Sequence, residues 1–153
     1  MDRNTPTVAN LHGQRWSGWG GAADSLWSQS LRAIVDRREL AASPRHVAEL
    51  VRNDEQLSCR YRRAFGAAPS PADDEAIFAD VGKTLAAFQE TLVTGRTPFD
   101  DFRDALERGD SEAAARYPAA ARRGLATFVG EGRCTMCHGG PRFSNGEFGD
   151  IGI

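Results

Sequence analysis

Cys134-Thr135-Met136-Cys137-His138 puts two thiols and an imidazole within five residues, the C-x-x-C-H pattern of covalent haem attachment. On one helical turn, both sulfurs can form thioethers to the two vinyl groups at one porphyrin edge. The histidine that follows then lies under the iron and offers a ring nitrogen as proximal ligand. Covalent bonding makes the iron's redox chemistry a permanent property of the chain. The same cysteines could instead form a redox pair, half of a zinc site, or a disulfide. A zinc site needs a second Cys or His pair, and the only other cysteine is Cys59. A thioredoxin-like dithiol belongs in an alternating strand–helix chain, which is not visible here. Haem accounts for Cys134, Cys137 and His138 together.

A second axial ligand is harder to find. Met1 is a start residue, and Met136 lies inside the attachment loop, on the wrong face of the iron. His12 and His46 remain as candidates, although each reads more simply as a surface or capping histidine. The distal side of the haem is expected to come from sequence outside this chain.

The elements that must position the motif are helical almost throughout. Residues 1–22, rich in Gly, Asn, Thr and Trp, read as an irregular, well-packed segment. A helix is expected from about Asp24 to Val35, with Leu26, Trp27, Leu31 and Ile34 at helical spacing. Trp27 there reads as a packing residue. Ser43-Pro44 starts a helix to about Asn53, and Asp54 caps another over Glu55–Phe65, ended by Gly66. Ser70-Pro71 restarts the pattern toward Thr94, with Ile77, Val81, Leu85, Phe88 and Leu92 on one face. Thr97-Pro98 caps a helix that stops by Gly109. The Ala/Arg-rich stretch 113–123 favours helix, and Ala119–Val129 leads into the motif. Gly139-Gly140-Pro141 is turn chemistry, and Gly95-Arg96-Thr97 is the best linker candidate. The expected fold class is all-α, with c-type cytochrome-like helices around the haem.

The chain has 153 residues and a net charge of −2, enough for one ordinary domain or two small ones. Interspersed charges give no reason to expect nucleic acid. No apolar run approaches the roughly 20 residues that cross a bilayer, and the polar start Met1-Asp2-Arg3-Asn4 is not a signal peptide. Haem attachment of this type takes place outside the bacterial inner membrane. The expectation is therefore an internal piece of a longer, exported, periplasmic protein.

Outside the motif, several segments resemble one family. Arg3-Asn4-Thr5-Pro6-Thr7, Gly18-Trp19-Gly20-Gly21, Asp24-Ser25-Leu26 with Gln29, and Arg38-Glu39-Leu40 occur in order. So do Thr97-Pro98-Phe99-Asp100 and the run from Cys134 to Phe143, with ten positions from Trp19 to Gln29 and ten more to Glu39. This set resembles the bacterial dihaem cytochrome c peroxidases, including the methylamine-utilisation branch whose members oxidise protein residues. The resemblance implies a two-part architecture. Residues 1–95 match the distal-side remainder of an N-terminal peroxidatic haem domain, and 96–153 the start of a C-terminal electron-transfer haem domain.

It also implies roles. Glu39 matches the acid–base carboxylate, Gln29 the amide that orients peroxide, and Trp19 the indole between the haems. Asn4 matches a residue that helps hold calcium. Hydrogen peroxide is the implied substrate, and a small c-type cytochrome or a cupredoxin the implied donor; homodimerisation stays open. Without the resemblance, Glu39 would read as a solvated charge, Gln29 as an exposed helix residue and Asn4 as a turn residue. Trp19 would read as packing and Cys59 as a free thiol. Arg142 and Phe143 either touch the haem or sit in an exposed loop. The chain has Trp19-Gly20-Gly21-Ala22 where the family often shows Trp-Asp-Gly-Arg, so one interdomain charge pair is missing. A peroxidase, a methylamine-type oxidase of a protein substrate, and a monohaem electron carrier all remain open on these residues.

Overall fold

Side-chain caps set where the helices begin. Ser25, Ser43, Asp54, Asp73, Thr97 and Asp110 each accept a hydrogen bond from a backbone N–H of the following first turn. The helices they open are α1 (Leu26–Val35), α2 (Pro44–Asn53), α3 (Glu55–Phe65), α4 (Asp74–Glu90), α5 (Pro98–Glu107) and α6 (Ser111–Ala115). After α7 (Ala119–Val129) comes a single 3₁₀ turn, Cys134–Met136. The structure is a computed structural model that describes residues 4–149. Among these residues no strand forms, and Ser17 and Ala23 make one isolated antiparallel bridge. The fold is all-α, as the sequence leads one to expect.

The chain divides into two compact units, Met1–Val93 and Thr94–Ile153. In the first, α4 packs against α1 and α2, and α3 against α2. Ala48, Val51 and Ile77 form its core, with Tyr61 and Val81 against them. Gly82 lets α1 and α4 approach closely: a Cβ there would stand 2.8 Å from Leu31 Cγ. Gln89 Nε2 donates to Ser30 Oγ across the same contact at 2.8 Å. Arg52 pairs with Asp74 at 2.6 Å and donates to the Ser70 carbonyl. The Tyr61 hydroxyl donates to Asp80, and burial together with that bond pushes its pKa up to about 12.

The second unit is built on Phe102, Ala105 and Ala114, flanked by Phe99, Tyr117 and Leu125. The Phe102 and Tyr117 rings stack at 4.6 Å. A capping box fixes the start of α5, since Thr97 and Asp100 satisfy each other's backbone N–H. Arg96 bridges Asp101 and Asp104, so Arg96 and Thr97 are structural parts of this unit, not a slack tether.

Three expectations need correction. The helix expected from Ser70-Pro71 to Thr94 spans only Asp74–Glu90. Asp73 takes the capping role, and the Thr91 hydroxyl and N–H both bond to the Phe88 carbonyl and tighten the end. The N-terminal segment is irregular but not well packed: among its described residues, 4–22, only Ser17 is buried, while Trp16 and Trp19 are exposed. Trp27 is likewise 40% exposed instead of sitting in the core.

Candidate functional site

Helix α7 ends at Gly130, and two tight returns follow before the cysteines. The Gly132 N–H donates to the Thr127 carbonyl at 2.8 Å, and the Arg133 N–H to Gly130. A Cβ at Gly132 would lie 2.7 Å from the Thr127 oxygen and 3.3 Å from Cys134 Sγ, so the approach to the first thiol requires glycine. The Cys137 and His138 N–H groups both donate to the Cys134 carbonyl, at 3.3 and 2.8 Å. That turn holds the backbone of the three motif residues in one tight return. Both thiols are free, Cys134 half-buried and Cys137 exposed.

His138 Nδ1 lies 3.1 Å from the Phe143 carbonyl oxygen. A carbonyl only accepts, so Nδ1 carries the proton, and in the neutral ring Nε2 keeps its lone pair. The loop after the motif is pinned back onto it: the Asn145 N–H donates to the Cys137 carbonyl at 2.9 Å and Nδ2 to Met136 at 3.3 Å. Phe128 stands 6.5 Å from the His138 ring and 6.0 Å from Phe143, whose ring is 5.4 Å from Phe99. Phe99, Phe128 and Phe143, with Tyr117 and Leu125, wall an apolar groove of about 260 Å³.

Two accessible thiols, an imidazole with one nitrogen tied off and the other open, and an aromatic wall fit a covalent porphyrin. They fit zinc poorly. Among the described residues no three His, Cys, Asp or Glu side chains gather. Met136 is 72% exposed within the turn.

The other candidate residues lie in the first unit. Trp19 Nε1 donates to the Asn4 carbonyl at 2.6 Å, which joins two of them. Asn4 offers one hard oxygen for calcium, and no acidic cluster stands around it among the described residues. Gln29, in α1, has a buried Oε1 without a hydrogen-bond partner. This oxygen lies close to Gly18, where a Cβ would approach it to 3.3 Å. Glu39 is exposed on the turn after α1. Asp36 shapes that turn: its carboxylate takes three hydrogen bonds from Arg38, and its carbonyl takes the Glu39 N–H. The Arg38 side chain first, and then its backbone N–H, hold Asp36 well below the usual carboxylate range. His12 and His46 are exposed in the first unit, and Cys59 is an exposed free thiol.

Sequence reasoning misses the Phe143 carbonyl, Asn145 and the Asp36–Arg38 fork. Only Gly139-Gly140-Pro141, as a turn signal, points toward a loop that folds back.

Comparison with known proteins gives the family. The family model for Di-haem cytochrome c peroxidase matches residues 1–108, a stretch that ends before the cysteines. Relatives extend across the whole chain. Methylamine utilization protein MauG of Methylorubrum extorquens is 38% identical over 100% of this chain and 40% of its own length. Cytochrome c551 peroxidase of Nitrosomonas europaea is 29% identical over 98% of this chain and 41% of its own. The enzyme of that name from Pseudomonas aeruginosa is 28% identical over 99% and 40%. The chain thus spans about two fifths of these relatives. A match over 1–108 and relatives that run on through the thiol–imidazole turn lead to one conclusion: the chain belongs to the di-haem cytochrome c peroxidase family.

Proposed function

We propose that this chain is part of a dihaem oxidoreductase that reduces hydrogen peroxide to water, and that it carries one of the two haems. Cys134 and Cys137 would hold that haem through thioethers, with His138 Nε2 as proximal ligand. Bound there, haem supplies one-electron redox chemistry. The observation that carries the reading is the Nδ1 contact to Phe143 on a C-x-x-C-H turn, which leaves the ligating nitrogen open. Residues 96–153 then begin the electron-transfer domain, and 1–95 belong to the peroxidatic domain.

In the whole protein, Glu39 moves a proton from the nearer to the farther peroxide oxygen. Two electrons and two protons then complete two waters. Gln29 orients the peroxide through its amide, and Trp19 lies on the electron route. The electrons come from a small c-type cytochrome or a cupredoxin, and the location is the periplasm, where this kind of haem attachment occurs. No helix among the described residues is long and apolar enough to cross a membrane.

A second reading has its own support. The chain is also 38% identical to a methylamine utilization protein and 30% to another, and oxidation of a protein substrate on the same scaffold is an alternative that fits the family equally. Production with haem-maturation machinery tests the shared core. A pyridine haemochrome assay should count one haem per chain, and Cys137→Ala should leave at most one thioether. Unmodified thiols in mass spectra of the parent chain would refute it. This chain alone should show little peroxide turnover.

A further inference from the structure

We infer that Phe143 is the positioning residue for the iron ligand: its main-chain carbonyl selects the His138 tautomer, and its ring keeps that carbonyl aimed. The inference rests on the C-x-x-C-H reading for its purpose, though not for its geometry. Phe143 has φ +51°, the left-handed region that a bulky residue seldom enters. Such a backbone persists only where the surroundings hold it, and here, with the residue 45% exposed, hydrogen bonds on both sides and two ring contacts do so.

On the N-terminal side, the Phe143 N–H donates to Gly140 at 3.1 Å. On the other side, Asn145 clamps the loop through the Cys137 and Met136 carbonyls. The ring itself is held between Phe99 and Phe128. Glycine would adopt this φ without strain, so what the phenyl group adds is its packing. The left-handed turn rotates the carbonyl onto His138 Nδ1. Free neutral imidazole prefers the proton on Nε2, the opposite of what an iron ligand needs. A fixed acceptor at Nδ1 reverses that preference and raises the basicity of the open nitrogen.

Long-range ¹⁵N–¹H NMR of the His138 ring tests this in the haem-free 153-residue chain at about pH 8, where imidazole is neutral. The parent should show mainly the Nδ1–H form. Phe143→Val, whose β-branch opposes positive φ, should shift it to mainly Nε2–H. Phe143→Gly should retain part of the Nδ1–H population. Asn145→Ala gives a second, gentler loosening with a smaller shift in the same direction, should the valine variant not fold. A parent chain already in the Nε2–H form, or a tautomer ratio unmoved in every variant that folds, would overturn the inference. With haem attached, loss of the bond should raise the midpoint potential, because a less basic imidazole stabilises ferric iron less. Mass spectrometry measures haem attachment independently of the tautomer, so failure of the haem reading and failure of the Phe143 role are told apart.

Discussion

Glu39 stands on a turn knitted by Asp36 and Arg38, and that turn fixes its backbone while leaving its carboxylate open to solvent. Desolvation, which a proton relay needs, would come only when other sequence covers it. In a full-length protein, Glu39→Gln should lower kcat for peroxide by roughly 10²–10⁴-fold with haem content unchanged. Steady-state kinetics beside a haemochrome assay checks this, and unchanged turnover would remove Glu39 from the chemistry. At this scale the sequence is legible wherever the proposed function resides in side-chain identity: Cys134, Cys137 and His138 stand out as a motif. It is opaque wherever function resides in the backbone. Nothing about the letter at position 143 says that its carbonyl points at an imidazole, because a left-handed φ at phenylalanine depends on Phe99, Phe128 and Asn145 together. Asp36 escapes notice for a related reason, since a carboxylate two residues from an arginine is commonplace until the turn closes.

Helix boundaries are readable where an N-cap stands beside a proline, as at Ser43-Pro44 and Thr97-Pro98, because both residues act locally. The start of α4 is harder to place because Ser70-Pro71 carries a similar signal, whereas Asp73 makes the capping bond. Helix α6 spans only Ser111–Ala115 and is too short to show a periodic stripe. Helix contacts are less visible still. Gly82 in α4 looks like a helix weakness worth about 1 kcal/mol against alanine, yet Leu31 occupies the space its missing Cβ leaves. Gly82→Ala should therefore destabilise the first unit: overpacking costs about 1–3 kcal/mol, more than the propensity gained. Combining it with Leu31→Ala should cost less than the sum of the single changes, by at least about 0.5 kcal/mol. Denaturant melts of the parent, the two single variants and the double variant measure that coupling, and strict additivity would show that α1 and α4 do not meet there.

Across the whole chain, ion pairs and caps make stability sensitive to acid. Hydrogen bonds from Arg38 lower Asp36; those from the Thr97 backbone and side chain lower Asp100; those from Arg103 and then Arg96 lower Asp104. The folded state thus holds these protons less tightly than the unfolded chain does. Their contribution is complete above the ordinary Asp value of about 4 and disappears as pH falls through the depressed folded values. Tm should be nearly level from about pH 7 to 5 and drop below about pH 4. A Tm that instead rises on acidification would contradict these pairings. The return loop at Phe143 and Asn145 has a consequence of a different kind. The bonds that orient His138 reach no farther than five residues ahead in the sequence, and Asn145 closes back over nine at most, so closing them costs little chain entropy. With Phe99 and Phe128 already upstream, the turn proposed to take haem can close locally, so on that proposal attachment need not wait for the rest of the fold.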